Sequence, residues 1–313
     1  MAQIKPQPIL SLCIPIYNRQ DYLQRQLERF LEDRDLFVED IHLFISDNCS
    51  TDDLRSCVEK YKIRGLNLEY HRNETNIGPD KNFELCFRNG KGKYTWLLGS
   101  DDVPVSGFIR QLVDQLHHGD YGLFHLSTNP RKEKLQVYTD NNEMAVAVNY
   151  WITFMSANII NTKSYEGLDL SAYRSSNMIQ VPVYLNACLS HQQNAIYFSE
   201  NLFEKETDNA NNGGYHFFRV FVSNLFSIYE SFVNRGSLSG SAYERIKKIE
   251  YKTLLTPYIV FLLIFKRNRN FDTTNSWKIL YHYYGRHLYA YVTPIAYIAS
   301  VLFKKLFSSV KSK

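Results

Sequence analysis

Five short apolar runs in the first 127 residues each stop abruptly in polar residues, and amphipathic stretches separate them. The runs are residues 9–16, Ile41–Ser46, Leu66–His71, Tyr94–Leu98 and Tyr121–Ser127, and their lengths read as buried strands. Between them, Tyr22, Leu23, Leu27, Phe30 and Leu31 recur at helical spacing. So do Leu54, Val58 and Tyr61, then Phe83, Cys86 and Phe87, then Phe108, Ile109, Leu112, Val113 and Leu116. Such strand–helix alternation predicts an α/β fold, a mostly parallel sheet covered by helices. Ligands of these sheets bind beyond the carboxyl ends of the strands, where the polar stops fall.

The stop after the fourth run is Gly99-Ser100-Asp101-Asp102. Adjacent carboxylates at the end of a buried strand repel each other and are costly to desolvate unless a cation joins them. Oxygen ligands of this kind suit Mg²⁺ or Mn²⁺, and those ions suit a phosphate-bearing substrate. The first run ends Pro15-Ile16-Tyr17-Asn18-Arg19 without glycine, which argues against a dinucleotide site of the G-x-G-x-x-G kind. The second enters Asp47-Asn48-Cys49-Ser50-Thr51-Asp52-Asp53, where Asp47 can bind a ribose hydroxyl or a base N–H and Ser50-Thr51-Asp52 can cap a helix. In Asn76-Ile77-Gly78-Pro79-Asp80-Lys81-Asn82, Gly78 permits a tight turn and Pro79 suits a first helical turn. Lys81 and Asn82 then face the same edge.

Leu12–Arg19, Ile45–Asp52, Asn76–Asn82 and Gly92–Asp102 resemble, in order and spacing, the nucleotide-sugar half of family 2 glycosyltransferases with the GT-A fold. The resemblance is nearest to bacterial members that build surface polysaccharides such as capsule and lipopolysaccharide, including an abequosyltransferase-like group. It covers residues 8–127 well and 150–200 weakly. It implies that Pro15, Tyr17 and Arg19 border the nucleotide base and that Asp47 accepts from it. It also implies that Lys81 and Asn82 position ribose or diphosphate, and that Asp101 and Asp102 hold Mn²⁺ or Mg²⁺, with Asp101 the direct ligand. The implied donor is a UDP-, GDP-, dTDP- or CDP-linked sugar, transferred with inversion to a glycan or lipid-linked acceptor.

Two departures stand out. The first acid of the family's D-x-D element is Gly99 here, or Ser100 by another alignment. The Glu-Asp pair that supplies the general base in many relatives falls on Ser176-Asn177-Met178-Ile179-Gln180, none of which takes a proton at neutral pH. His191, Glu200, Glu204 and Asp208 are nearby in sequence, with His191 and Asp208 the candidates for a substitute base. Each also reads as an ordinary solvated residue. A catalytically silent sugar-nucleotide-binding or scaffold subunit is therefore an alternative. Nucleotidyl transfer is another, although the basic glycine-rich loop it would want after the first strand is missing.

Beyond 127 the pattern loosens. Tyr150–Ile160 can return as a strand, Val181–Leu189 reads as helix, Ala195–Phe198 as a strand and Tyr215–Val233 as an aromatic helix. We expect a glycosyltransferase domain over 1–235, divided at 127/128 into nucleotide-sugar and acceptor halves, followed by a helical tail over 236–313. Residues 241–313 hold 13 Lys/Arg against 3 Asp/Glu, whereas residues 1–240 hold 23 against 29. Leu254–Phe265 and Leu288–Phe303 are apolar, end in basic residues and are crowded with tyrosine. They fit helices lying in a membrane interface, or a helical cap with a basic solvated face. The basic excess lies among apolar segments, which argues against nucleic acid. An odd count of five cysteines without metal spacing, and no secretory signal pattern, lead us to expect a cytoplasmic protein, peripheral on the inner leaflet of the cytoplasmic membrane.

Overall fold

A computed structural model describes residues 6–129, 131–205, 214–267 and 270–310, with side chains as far as Leu302. The chain forms two compact units, Met1–Asp208 and Asn209–Lys313. The first is built on eight strands: β1 (Leu10–Ile16), β2 (Ile41–Asp47), β3 (Glu69–Arg72), β4 (Tyr94–Leu97), β5 (Leu123–Ser127), β6 (Leu135–Tyr138), β7 (Asn158–Asn161) and β8 (Asn194–Phe198). Its helices are α1 (Gln20–Glu32), α2 (Leu36–Glu39), α3 (Leu54–Ile63), α4 (Pro79–Arg88), α5 (Phe108–His117), α6 (Asn141–Val148) and α7 (Gln180–Ser190).

The sheet runs β3-β2-β1-β4-β7-β5-β8-β6. Strands β7 and β6 oppose the other six, so the expected mostly parallel sheet is present with two reversed members. The four helical faces read from sequence supply α1, α3, α4 and α5. Leu23, Leu27 and Phe30, Leu54, Val58 and Tyr61, and Phe108, Leu112 and Leu116 join one core with Leu12, Ile14, Ile45 and Trp96.

Strand β1 lies between β2 and β4, and the chain leaves it toward one side before returning to the other. Its pairing with β2 continues to Ile16↔Asp47, but its pairing with β4 ends at Cys13↔Leu97. Pro15 has no N–H to give and sits where β4 has already diverged. A crevice therefore opens at the carboxyl edge, at the point where the strand order reverses.

Several expectations are corrected. The Tyr150–Ile160 strand is confined to β7, because Asn149–Thr153 and Met155–Ala157 turn tightly before it. The amide of Asn158 donates to the carbonyl of Phe154 at 2.7 Å and so fixes that turn. Strand β6 and helix α6 were not anticipated: β6 is short and half-buried, and α6 is buried on several sides, so neither shows a clean period.

The second unit is helical. It comprises a helix over Arg219–Asn234 whose latter part is α8 (Leu225–Asn234), α9 (Gly240–Glu250), a helical continuation from Tyr251 to Ile264 that includes α10 (Thr256–Tyr258), α11 (Ser276–Tyr284) and α12 (Leu288–Val310). The domain boundary expected at 235 falls instead after Asp208, because the aromatic helix belongs to the tail. Phe217 stacks on Tyr258 at 4.0 Å between ring centres, and Phe226 meets Tyr243 and Tyr284. Among the described residues no helix is long and apolar enough to cross a membrane.

Candidate functional site

The polar stops of β1, β2 and β4, with the start of α4, converge on a cleft of about 450 Å³. Pro15, Tyr17, Arg19, Asn82 and Asp101 from the sequence reading line it. Asn48, Asn76 and Ser100, which the sequence reading had placed in the motifs without a binding role, line it as well, as do Phe83, read as a helical-face residue, and Met155, which no motif contained.

Backbone geometry explains the convergence. Asn18 and Cys49 both adopt left-handed φ, 51° and 63°, where Asn is among the more tolerant residues. Asn18 N donates to Ser50 Oγ at 3.0 Å, and Thr51 N donates back to Asn18 Oδ1 at 2.7 Å. Asp52 does not cap the helix that follows it. Its carboxylate accepts from Gln20 N at 2.8 Å and so serves the start of α1, where Arg19 offers no side-chain cap. The cap of α3 is Asp53, which accepts from Ser56 N at 3.2 Å. Each such cap contributes about 1 kcal/mol.

Asp47 plays a different part from the one expected. It is fully buried and does not line the cleft. Its Oδ1 accepts from Ser50 N at 2.8 Å, while Oδ2 accepts from Tyr70 Oη at 2.6 Å and Arg72 Nη1 at 3.1 Å. The carboxylate holds the turn together. Asn82 is similarly engaged, accepting from Ser46 Oγ at 2.7 Å and Asn73 Nδ2 at 3.1 Å. Asn48 donates to Asn76 Oδ1 at 2.8 Å and accepts from Ile77 N at 2.9 Å. These amides weld the second and third motifs into one wall. Lys81 is exposed on α4 and is not among the lining residues.

The acid pair sits on a tightly held turn. Gln26 of α1 is buried and donates to the carbonyls of Gly99 at 2.7 Å and Asp102 at 2.8 Å. Ser156 Oγ accepts from Gly99 N at 2.8 Å and donates to Asp102 Oδ2 at 2.5 Å. A Cβ at Gly99 would lie 2.8 Å from Asp102 Oδ2 and 3.0 Å from Asp101 Oδ1, so both carboxylates close on this residue. Here the glycine in the family's acid position is what admits them. A cation reaches one member of the pair: Arg19 Nη1 lies 2.6 Å from Asp101 Oδ2. Gln26 carried a sequence signal, a polar residue on an apolar helical face. Ser156 carried none.

Among the described residues no group of three or more acidic, His or Cys side chains is placed to hold a metal alone. Two converging carboxylates nonetheless match the donor set of Mg²⁺, which keeps waters and takes its remaining oxygens from substrate phosphate.

No base emerges among the candidates. His191 packs against Gly122, just before β5, at the amino edge of the sheet and away from the cleft. Glu204 is paired with Arg29 at 2.5 Å and Arg25 at 3.2 Å, and those guanidinium groups hold its carboxyl below the ordinary range. Glu200 lines a separate cavity at the end of β8, and Asp208 lies outside the described residues. At Ser176–Gln180 the carboxylate brought in is Asp80 of α4. Its Oδ2 accepts from Asn177 N at 3.1 Å, and burial pushes its pKa up. Beside it, Glu84 of α4 takes Arg174 in a two-point contact at 3.0 Å. Helix α4 and the approach to α7 are thus latched by two acids.

Residues 11–178 match the family Glycosyl transferase family 2. The chain is 38% identical over 96 residues to the abequosyltransferase RfbV of Salmonella typhimurium, covering 30% of this chain and 28% of that one. It is 26% identical over 182 residues to the poly(ribitol-phosphate) β-N-acetylglucosaminyltransferase TarS of Staphylococcus aureus, covering 56% and 30%. The matches therefore span less than a third of either relative's length. In structure, S. aureus TarS 1–349 in complex with UDP-GlcNAc superposes with a TM-score of 0.60 at 18% identity, over 86% of this chain and 78% of that one. The mannosyltransferase PcManGT of Pyrobaculum calidifontis, in complex with GDP-Man and Mn²⁺, gives 0.54 at 12% identity, over 97% and 88%. The fold is GT-A.

Proposed function

This chain belongs to glycosyl transferase family 2, and from that premise we propose that it moves a sugar from a nucleoside-diphosphate sugar to a hydroxyl of a glycan acceptor in bacterial surface-polysaccharide synthesis. The observation that carries the reading is the cleft at the point where strand order reverses, with Asp101 and Asp102 closing on Gly99 and Arg19 beside them. Pro15, Tyr17 and Phe83 give the nucleoside base an apolar and aromatic wall, and Arg19 offers a guanidinium to diphosphate oxygens. Asp101 and Asp102 would hold Mn²⁺ or Mg²⁺, which supplies Lewis-acid stabilisation of the departing diphosphate when bound. Gln26 and Ser156 keep the acid turn fixed, so that little reorganisation is needed as charge develops. Attack by the acceptor from the face opposite the diphosphate inverts the anomeric carbon.

The second unit supports a lipid-linked acceptor at an anionic membrane surface. Along α12, Leu288, Tyr291, Val292, Ile295 and Leu302 are exposed at helical spacing. Lys266 and Arg267 are exposed in the same unit, as is Arg286 just before α12. Apolar stripes with basic neighbours partition into the headgroup region of anionic bilayers.

Labelled nucleotide sugars incubated with membrane extract test the reading. Turnover that needs Mn²⁺ or Mg²⁺, disappears in Asp102→Ala and persists in His117→Ala supports it. Tight donor binding without turnover would favour a silent subunit, the reading motivated by the uncharged Ser176–Gln180 stretch. Sedimentation with phosphatidylglycerol vesicles, reduced in Ile295→Glu, tests the membrane arm.

A further inference from the structure

The carboxyl edge of the sheet carries a second large cavity, about 390 Å³, well away from the nucleotide cleft. Strand order places it at the far side, where β8 ends and β6 begins: Phe198 N donates to Lys134 O at 2.7 Å. Arg131 and Lys134 line it. The Arg131 guanidinium lies 4.6 Å from the centre of the Phe198 ring, and its Nη1 donates to Gln136 Oε1 at 2.8 Å. Neither cation pairs with a carboxylate among the described residues. Helix α5 opens on the same cavity through Ser106 and Phe108. Its cap position is Gly107, at φ 73°, which offers no side-chain cap, and Phe108 N donates to Val105 O at 3.1 Å.

Glu200 is the one acid in the cavity lining, and Glu133, between the two cations in sequence, is exposed outside it. Glu32 is occupied by Ser106 Oγ at 2.7 Å and Arg29 at 2.6 Å. Two cations against one acid leave the cavity lining net positive, and the start of α5 beside it adds a dipole that favours anions. The nucleotide cleft connects to it by structure. Val105 N donates to Leu202 O at 3.1 Å, so the chain that carries Asp101 and Asp102 runs directly into the cavity wall. Between the two, at β7 and β5, a small hollow presents Trp151 and Phe154, both exposed.

We propose that this outer cavity binds an oxyanion of the acceptor, a phosphate or a sugar carboxylate, while the acceptor chain lies across Trp151 and Phe154 toward Asp101. Arg131 and Lys134 take the oxyanion, Phe198 holds the guanidinium plane in place, and α5 adds its N-terminal dipole. The inference rests on the glycosyl-transfer reading for the word acceptor, but the binding itself does not.

The test is calorimetric titration of the full chain with inorganic phosphate and, separately, with glucuronate at low salt. Saturating UDP and Mg²⁺ are present so that the nucleotide cleft is filled. One oxyanion should bind, about tenfold more weakly in Arg131→Gln/Lys134→Gln and about threefold more tightly in Glu200→Gln, while Lys62→Gln on α3 changes nothing. Tighter phosphate assigns a phosphodiester acceptor and tighter glucuronate an acidic sugar. No oxyanion binding above that of the double variant overturns the proposal. Oxyanion binding in a protein that never turns over a donor would sink the transfer reading alone, and turnover without oxyanion binding would sink this one alone.

Discussion

On the β3–β2–β1–β4 side, each polar stop is tied to another polar stop: Asn18 to Ser50, Asp52 to Gln20, Asn48 to Asn76, Asp101 to Arg19. On the β7–β5–β8–β6 side the loop ends meet through rings, with Phe203 against Trp96 and Phe154, and through ion pairs such as Glu204 with Arg29. The first arrangement is geometrically strict, since each hydrogen bond fixes a donor and an acceptor. The second tolerates sliding, since ring packing is far less directional.

Four experiments sharpen or break this contrast. The largest effect is expected at the strict side: Asp102→Ala should lower transfer by about 10²–10³-fold or more, read as kcat with a labelled donor. A comparable rate loss from Trp151→Ala would erase the distinction, because an aromatic wall should chiefly raise the acceptor KM. Next comes stability. Asp47→Ala strands Tyr70, Arg72 and the Ser50 N–H, and should cost about 3 kcal/mol in denaturant unfolding. Asp101→Ala removes a half-exposed ion pair and should cost less than about 1 kcal/mol, so the two acids separate into a structural and a functional one. Third, Glu84→Gln weakens the hold on Arg174 and Arg88 and should cost about 1–2 kcal/mol. Faster amide exchange over 174–180, with the β1–β2 edge unaffected, is the accompanying signature.

The last test is the pH dependence of the looser half. Burial pushes the pKa of His125 on β5 down to about 4, with its contact to Asn158 at 2.9 Å opposing that shift. The unfolded chain, with an ordinary histidine near 6.5, then binds the extra proton between those values. The contribution to stability is complete above about pH 6.5 and falls as pH drops toward 4, by up to about 1.4 kcal/mol per unit. Unfolding curves for His125→Gln should show a flatter acid limb, and an unchanged limb would remove His125 from the account.

The sequence by itself determined the strands and helices of the first 127 residues, because buried strands and one-sided helices leave a periodic apolar trace in the residues that form them. It also determined part of the cleft lining, since Pro15, Tyr17, Arg19, Asn82 and Asp101 stand at strand ends and at a helix start, and a parallel sheet gathers those at one edge. Only the tertiary structure decided that Asp47 is a strut, that Asp52 caps α1 from another loop, that Gln26 and Ser156 clamp the acid turn, and that His191 faces the wrong edge. The reason is physical. Apolar burial is read locally from spacing, but a polar side chain takes its role from whichever partner lies within hydrogen-bonding distance, and in most of these contacts that partner is tens of residues away in the chain.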